Sequence, residues 1–129
     1  MKDAARHMIE QGSGVILMFG GDGDPLRDWS LGGLQVGFTA IEALRRNLAA
    51  ELGSHGIRVV TLQTGGIPEV IPEDFAGRQA IEESIVGATM LGRAATLEDV
   101  GHVAAFVASD HARTITATKI NITCGSVVD

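Results

Sequence analysis

Apolar residues along the chain follow two spacings, and the changes between them divide the sequence into short segments. Residues 15–19 (Val-Ile-Leu-Met-Phe) form a continuous apolar run with glycines on both sides, and residues 57–62 form a second, mostly apolar run after Gly56. Runs of this length without alternation predict strands buried on both faces, as in a parallel sheet. Ile120 and Ile122, between polar residues, predict a third, shorter strand.

Four other segments repeat apolar residues with the period of an α-helix. These segments are residues 2–11, residues 37–52, residues 79–89 and a helix that starts after Thr96. In the second segment one stripe is apolar and the opposite stripe is charged, which predicts that the apolar stripe faces the core and that Glu42 pairs with Arg45 or Arg46. The apolar stripe consists of Ile41, Leu44, Leu48 and Leu52, and the charged stripe of Glu42, Arg45, Arg46 and Glu51.

The order of helices and strands predicts the fold class. Thr96 followed by Asp99 three residues later has capping-box character and marks the start of the last helix. Strands that alternate with amphipathic helices give right-handed crossovers and a parallel sheet with helices on both faces. We therefore predict a single α/β domain over residues 1–129, a partial Rossmann-like (doubly wound) parallel sheet of about three strands with flanking helices.

Composition excludes several classes of function. The chain has 129 residues, 45% of them hydrophobic and 20% charged, and the apolar runs are far shorter than the roughly 18 residues that a membrane span needs. The net charge of −6 argues against nucleic acid as a partner, because phosphate binding needs a basic surface. A single cysteine and an N-terminus without a signal-peptide core predict a cytoplasmic protein that does not bind a membrane.

Residues with metal-binding or nucleophilic chemistry are few and scattered. Asp22, Asp24 and Asp28 share one Gly-rich loop, where they are either solvated or ligands for calcium, although the spacing departs from an EF-hand loop. The four histidines lack the i, i+4 spacing of a zinc site, and we predict no metal centre. Cys124 is predicted to be a small buried residue at the end of a strand, since its sequence neighbours offer nothing to activate a thiol.

Several blocks, in order along nearly the whole chain, resemble the C-terminal half of the short-chain dehydrogenases/reductases. The resemblance rests on residues 14–16, on residues 40–44 with 48–52, on residues 55–59 (His-Gly-Ile-Arg-Val), on residues 91–93 (Leu-Gly-Arg), on residues 98–100 leading to 106–110, and on residues 120–125. It implies a Rossmann-like fold and an NAD(P)-dependent oxidoreductase as the ancestral activity. No glycine-rich dinucleotide motif is recognisable in the sequence.

The resemblance also locates the family's functional positions, and this chain departs from them. The family uses a Tyr, a Lys four residues later and a Ser at the end of the preceding strand. These positions fall on Leu34, Phe38 and Gly21, and the chain contains no Tyr at all. The cofactor-facing turn, which usually begins Pro-Gly, falls on Thr64, Gly65, Gly66 and Ile67. NAD or NADP is therefore implied as a cofactor by the resemblance alone.

Three functions follow as hypotheses. The first is a pseudoenzyme, which lacks the family's catalytic residues and acts as an oligomer or binds a partner protein. The second is an oxidoreductase whose nucleotide-binding half is missing from this chain or supplied by another. The third is a module that binds a small apolar ligand in a cleft near Leu34, Phe38, Thr64 and Ile67. A homodimer or higher oligomer is expected, formed by pairing of residues 15–19 or by packing of the helix over residues 38–52.

Overall fold

A computed structural model describes residues 2–21 and 30–128 of the chain. The elements run in the order α1 (Lys2–Gln11), β1 (Gly14–Gly20), α2 (Gly32–Leu52), β2 (Ile57–Thr64), α3 (Arg78–Gly87), α4 (Leu97–Ala108) and β3 (Thr118–Ile122). Every predicted strand and helix is present, although α2 begins at Gly32 rather than at residue 37. None of the described helices is long and apolar enough to cross a lipid bilayer.

The strands form one parallel sheet in the order β1-β2-β3. Gly14 lies opposite Ile57 and Gly20 opposite Gln63, so β1 and β2 are paired along the whole length of β1. The pairing of β2 with β3 runs from Val60 opposite Thr118 to Thr64 opposite Ile122. The predicted partial Rossmann-like sheet is therefore confirmed, with β2 in its centre.

The two helices that connect the strands lie on opposite faces of the sheet. Helix α2 lies on one face, where a Cβ added to Gly20 would be 3.9 Å from Cγ2 of Ile41. On the other face, Val60 and Leu62 of β2 pack against Val100 and Val107 of α4. Because the strands follow one another across the sheet in a single direction, helices on opposite faces give the two crossovers opposite hands. The expectation that every crossover is right-handed is therefore wrong for one of them.

The core lies between the sheet and α4. Val60, Leu62 and Val107 are completely buried there. Val59 and Ile57, which alternate with them and lie on the other face of β2, are 0% and 1% exposed. The prediction that residues 57–62 form a buried strand is thus confirmed. The capping box is also confirmed, since the Thr96 hydroxyl accepts from the Asp99 backbone N–H and the Asp99 carboxylate accepts from the Thr96 N–H.

Strand β1 is less buried than the sequence predicts. Phe19 is 60% exposed, and only Met18 and Gly20 of this strand are buried. Phe19 lies on the α4 face beyond the part of β1 that α4 covers, and the outer edge of β1 pairs with no other strand of the described chain. Burial of residues 15–19 on both faces is therefore wrong at Phe19.

Helix α2 buries its predicted apolar stripe except at one position: Leu52 is buried and Ile41 and Leu48 are half-buried, but Leu44 is exposed. Arg45 is only 5% exposed, whereas Leu44 is 41% exposed. The physical reason lies in the sheet beneath the helix, where the second half of β2 presents Thr61 and Gln63 and only the first half presents apolar residues. A polar sheet face of this kind accommodates a charged pair under α2 better than a row of leucines.

Candidate functional site

The carboxyl ends of the parallel strands meet at one edge of the sheet, where ligands bind in open α/β folds. Strand β1 ends in Gly20 and is followed by Gly21, and β2 ends in Thr64 and is followed by Gly65. Strand β3 ends in Ile122 and leads into a compact loop. The first half of α2 lies beside this edge and contributes Phe38.

Gly21 and Phe38, at two of the positions where the resemblance puts the family's catalytic residues, are in direct contact. A Cβ on Gly21 would lie 2.6 Å from Cε2 of Phe38 and 3.0 Å from its Cδ2, which is too close for any side chain at Gly21 unless the ring moves. Leu34, at the third position, is 46% exposed. Phe38 thus contributes an aromatic ring, Leu34 an exposed aliphatic side chain and Gly21 only its backbone. None of these groups transfers a proton.

The turn at the cofactor-facing position is packed against two other segments. The side chain of Ser126 occupies the space that a Cβ on Gly65 would need. Gly66 has a φ of +114°, a conformation open to glycine, and the position of its Cβ would lie 3.0 Å from Ile85 Cδ1 of α3. Thr64, Gly66 and Ile67 are half-buried and Gly65 is exposed. The turn therefore packs against the loop after β3 at Gly65 and against α3 at Gly66.

The loop after β3 is fixed by its own side chains, which sequence reasoning missed. The Thr123 hydroxyl donates to Asn121 Oδ1 at 2.6 Å, and the Asn121 amide donates to the Val127 carbonyl at 2.9 Å. Cys124 is half-buried with a φ of +55°, and its carbonyl accepts from the backbone N–H groups of Met90 and Leu91. Cys124 therefore lies just after the strand, as predicted, but is less buried than expected. The signal in the sequence that could have predicted these hydrogen bonds is the alternation of Asn121 and Thr123 with apolar residues.

A cavity of about 240 Å³ lies between α2 and the α2-facing side of β3. Of the four residues expected around an apolar cleft, only Phe38 lines it. The remaining walls are largely polar or charged. The lining residues are Gly21, Gln35, Phe38, Thr39, Glu42, Ala43, Arg46 and Lys119.

Glu42 and Arg45 form a buried ion pair at the wall of this cavity. Arg45 donates to Glu42 Oε2 through Nε at 3.1 Å and through Nη2 at 2.9 Å. Burial raises the pKa of the Glu42 carboxyl, but the hydrogen bond from Arg45 and the positive charges of Arg45 and Lys119 outweigh it, so the pKa lies below its ordinary value. Glu42 is consequently ionised at neutral pH, and its charge is balanced by Arg45.

The other residues singled out in the sequence do not form a site in the described part of the chain. Asp22, Asp24 and Asp28 lie outside the described residues. Within residues 2–21 and 30–128, no three His, Cys, Asp or Glu side chains come together as metal ligands. The histidines are all exposed and far apart along the chain.

Comparison with known protein families places this arrangement in context. A family model described as enoyl-(acyl carrier protein) reductase matches residues 1–126. The enoyl-acyl carrier protein reductase (NADH) of Bacillus cereus is 31% identical over 124 residues, which cover 96% of this chain and 48% of that protein. Secoisolariciresinol dehydrogenase of Forsythia intermedia is 32% identical over 137 residues, covering 99% of this chain and 50% of that protein.

Solved structures agree with the sequence comparison. The crystal structure of the Bacillus cereus enoyl-acyl carrier protein reductase with NADP+ and indole naphthyridinone matches with a TM-score of 0.81 at 31% identity, covering 96% of this chain and 48% of that one. The chain thus spans about half the length of the relatives it matches. Family model, sequence identity and fold agree, and the chain belongs to the short-chain dehydrogenase/reductase family.

Proposed function

We propose that this chain is a short-chain dehydrogenase/reductase-like protein that does not itself carry out the family's NAD(P)-dependent oxidation or reduction of alcohols and ketones, and that acts as an oligomer or as a partner-binding subunit. The observation that carries the proposal is the contact between Phe38 and Gly21. This contact fills the position where the resemblance puts a serine hydroxyl and replaces the lysine ammonium by an aromatic ring.

The proposal follows from what proton transfer requires. A general acid or base needs an ionisable group within hydrogen-bond reach of the reacting oxygen. Leu34 and Phe38 have no such group, and Gly21 has no side chain. Glu42 is the carboxylate that lines the same cavity, and its lowered pKa and its bonds to Arg45 make it a poor proton donor at neutral pH.

The described residues also fit a nicotinamide nucleotide poorly. The position of the family's lysine carries Phe38, which offers no charge or hydrogen bond to a ribose or phosphate. Gly65, in the turn that faces the cofactor in the family, has its Cβ side occupied by Ser126. One face of the turn is therefore used for internal packing.

Calorimetric titration with NAD(H) and NADP(H) tests this proposal. We expect no binding tighter than about 1 mM, because Phe38 offers no charge to the nucleotide and the sequence has no recognisable glycine-rich dinucleotide motif. Assays with alcohols and ketones and added nucleotide are expected to give no turnover. Micromolar binding of either nucleotide, or turnover that follows protein concentration, would contradict the proposal.

A second candidate function has an observation of its own in support. The chain spans about half of its relatives, and the outer edge of β1 is unpaired within the described chain, beside the exposed ring of Phe19. An edge of this kind fits a strand from another polypeptide that carries a nucleotide-binding half. The genomic sequence upstream of the Met1 codon discriminates, since an in-frame strand followed by Gly-x-x-x-Gly-x-Gly supports this function. Even then, the reaction needs a proton donor other than Leu34 or Phe38.

A further inference from the structure

The segment that leads from the Gly65 turn into α3 carries most of the net charge of the chain. Residues 69–83 contain five carboxylates and one guanidinium, a net charge of −4, whereas the whole chain has a net charge of −6. Within this segment, residues 72–77 are exposed without interruption. A surface with this balance of charge attracts cationic partners and repels acidic ones.

An aromatic residue lies in the middle of the exposed stretch. Phe75 is 51% exposed and directly follows Glu73 and Asp74. The other three carboxylates of the segment accept hydrogen bonds within the chain. Glu73 and Asp74, in contrast, form no ion pair or side-chain hydrogen bond with another residue that the structure describes. Two free carboxylates thus adjoin an apolar ring that is half uncovered.

Hydrogen bonds fix the shape of this stretch, which we call loop 72–77. The Phe75 N–H donates to the Pro72 carbonyl at 3.1 Å and the Arg78 N–H donates to the Phe75 carbonyl at 3.1 Å, so two consecutive turns hold Phe75 between them. The Arg78 side chain closes the loop, because it donates to the Ile71 carbonyl at 2.8 Å and to Glu82 Oε1 at 2.6 Å. A surface ordered before binding loses little conformational freedom when a partner binds.

We propose that loop 72–77 is a docking surface for a cationic amphipathic segment of a partner protein. Phe75 supplies the apolar contact, because aromatic side chains carry much of the binding energy at protein interfaces. Glu73 and Asp74 supply the charge, because carboxylates beside such a contact attract lysine and arginine side chains and exclude an acidic partner. Charge complementarity to the five carboxylates of residues 69–83 therefore defines the chemistry of the partner.

This inference rests on the proposed function, because a partner-binding subunit needs a surface that recognises its partner. The two fail separately. Nucleotide binding or turnover would contradict the proposed function, whereas docking at loop 72–77 is measured with peptides in the absence of nucleotide.

Three helical peptides of about 14 residues separate charge from apolar contact. The first has lysines on one face and leucines on the other, the second has glutamates in place of the lysines, and the third has glutamines in place of the leucines. Titration of the full chain, followed by chemical shifts of its backbone amides, gives both affinity and location. We expect the first peptide to bind with a dissociation constant of about 100 μM, the third roughly tenfold more weakly and the second not at all. Shift changes are expected within residues 69–83.

Substitutions in the loop test the two contributions. Phe75→Ser is expected to weaken binding of the first peptide about tenfold, and folding is expected to be unaffected because Phe75 is already half exposed. Glu73→Gln combined with Asp74→Asn is expected to weaken binding about tenfold and to reduce its dependence on salt. This double variant also tests the surface if Phe75→Ser does not fold.

Matched controls lie on other elements. Phe106→Ser removes a ring that is 49% exposed on α4, and Glu51→Gln removes an exposed carboxylate on α2, so neither is expected to change binding. Equal binding of the cationic and anionic peptides, no binding at 1 mM peptide, shifts outside residues 69–83, or equal losses in the loop variants and the controls would each overturn the inference.

Discussion

Arg45 and Glu42 carry opposite charges inside the fold, with side chains only 6% and 13% exposed. Removing two charges from water costs several kcal/mol per ion, and a close ion pair offsets this only when its geometry is good. Here both donor atoms of Arg45 share one carboxylate oxygen. The side-chain amide of Gln63, completely buried on β2, makes no hydrogen bond to another residue that the structure describes. The polar layer under α2 is thus costly for stability, which is typical of a region retained for function.

At the same scale, replacement of two glycines by alanine is expected to change the stability of the protein in opposite directions. Gly21→Ala places a Cβ 2.6 Å from the Phe38 ring, and we expect it to lower the free energy of unfolding by about 1–3 kcal/mol. Gly37→Ala, one position before Phe38 in the same helix, meets no atom within 4 Å and is expected to stabilise the protein by roughly 0.5–1 kcal/mol. Urea unfolding of both variants measures the difference. If Gly21→Ala is neutral, the ring does not pack on Gly21 as described.

At the scale of elements, α4 is held at its N-terminus by three acceptors. Thr96 and Asp99 form the capping box, Arg93 donates to Asp99 Oδ2 at 3.0 Å, and Glu69 accepts from the Leu97 N–H at 2.6 Å. The bond from Glu69 joins the segment after the Gly65 turn to α4. The start of α4 therefore fixes both the core helix and the chain that leaves the sheet edge.

The capping carboxylate predicts a pH dependence of stability. The backbone hydrogen bond from Thr96, followed by the bond from Arg93, lowers the pKa of Asp99 from 3.8 to about 2. Because the folded pKa is depressed, this contribution to stability is present above pH 3.8 and is lost as the pH falls toward 2. We expect Asp99→Asn to flatten the fall in the free energy of unfolding between pH 4 and 2.

The control for Asp99 is Glu98→Gln on the exposed side of the same turn. Its carboxylate is 83% exposed and lies 3.9 Å from His102. Its replacement is therefore expected to leave the fall in the free energy of unfolding between pH 4 and 2 unchanged. If the free energy of unfolding falls equally between pH 4 and 2 in the wild type and in Asp99→Asn, the Asp99 carboxylate does not retain its charge in the folded state.

At the scale of the whole molecule, the sheet has two open edges in the described chain and several exposed apolar side chains. Phe19 is 60% exposed beside the edge of β1, and Val36 is 70% exposed on α2. An apolar strand edge pairs readily with another chain, and surfaces of this kind mark interfaces. Phe19 lies on the strand of one predicted route to a dimer, and Val36 lies on α2 two residues before the range 38–52 of the other.

Light scattering at micromolar concentration distinguishes these routes. We expect the wild-type chain to be at least a dimer, and either Phe19→Lys or Val36→Lys to reduce it to the 13.5 kDa monomer, depending on which surface is used. Val70→Lys, at a residue 62% exposed elsewhere, is the control and is expected to leave the oligomer intact. A well-folded wild-type monomer would exclude both routes.

The sequence was informative wherever local pattern decides structure. Glycine-bounded apolar runs located β1 and β2, and Thr96 with Asp99 located the start of α4 to the residue. The burial of Arg45 was not predictable from α2, because it depends on Thr61 and on other polar residues of strands distant in sequence. The contact of Phe38 with Gly21 likewise joins two elements, and only the resemblance indicated that these positions belong together.

Strand β2 has a hydrogen-bonded neighbour on each side and a helix on each face. Its amides are released for exchange with solvent only when the whole sheet opens, whereas the outer strands are free to loosen one at a time. Thr61, on the α2 face of β2, therefore keeps its place through local fluctuations. Local opening of the cavity involves α2 and the connections around it rather than β2.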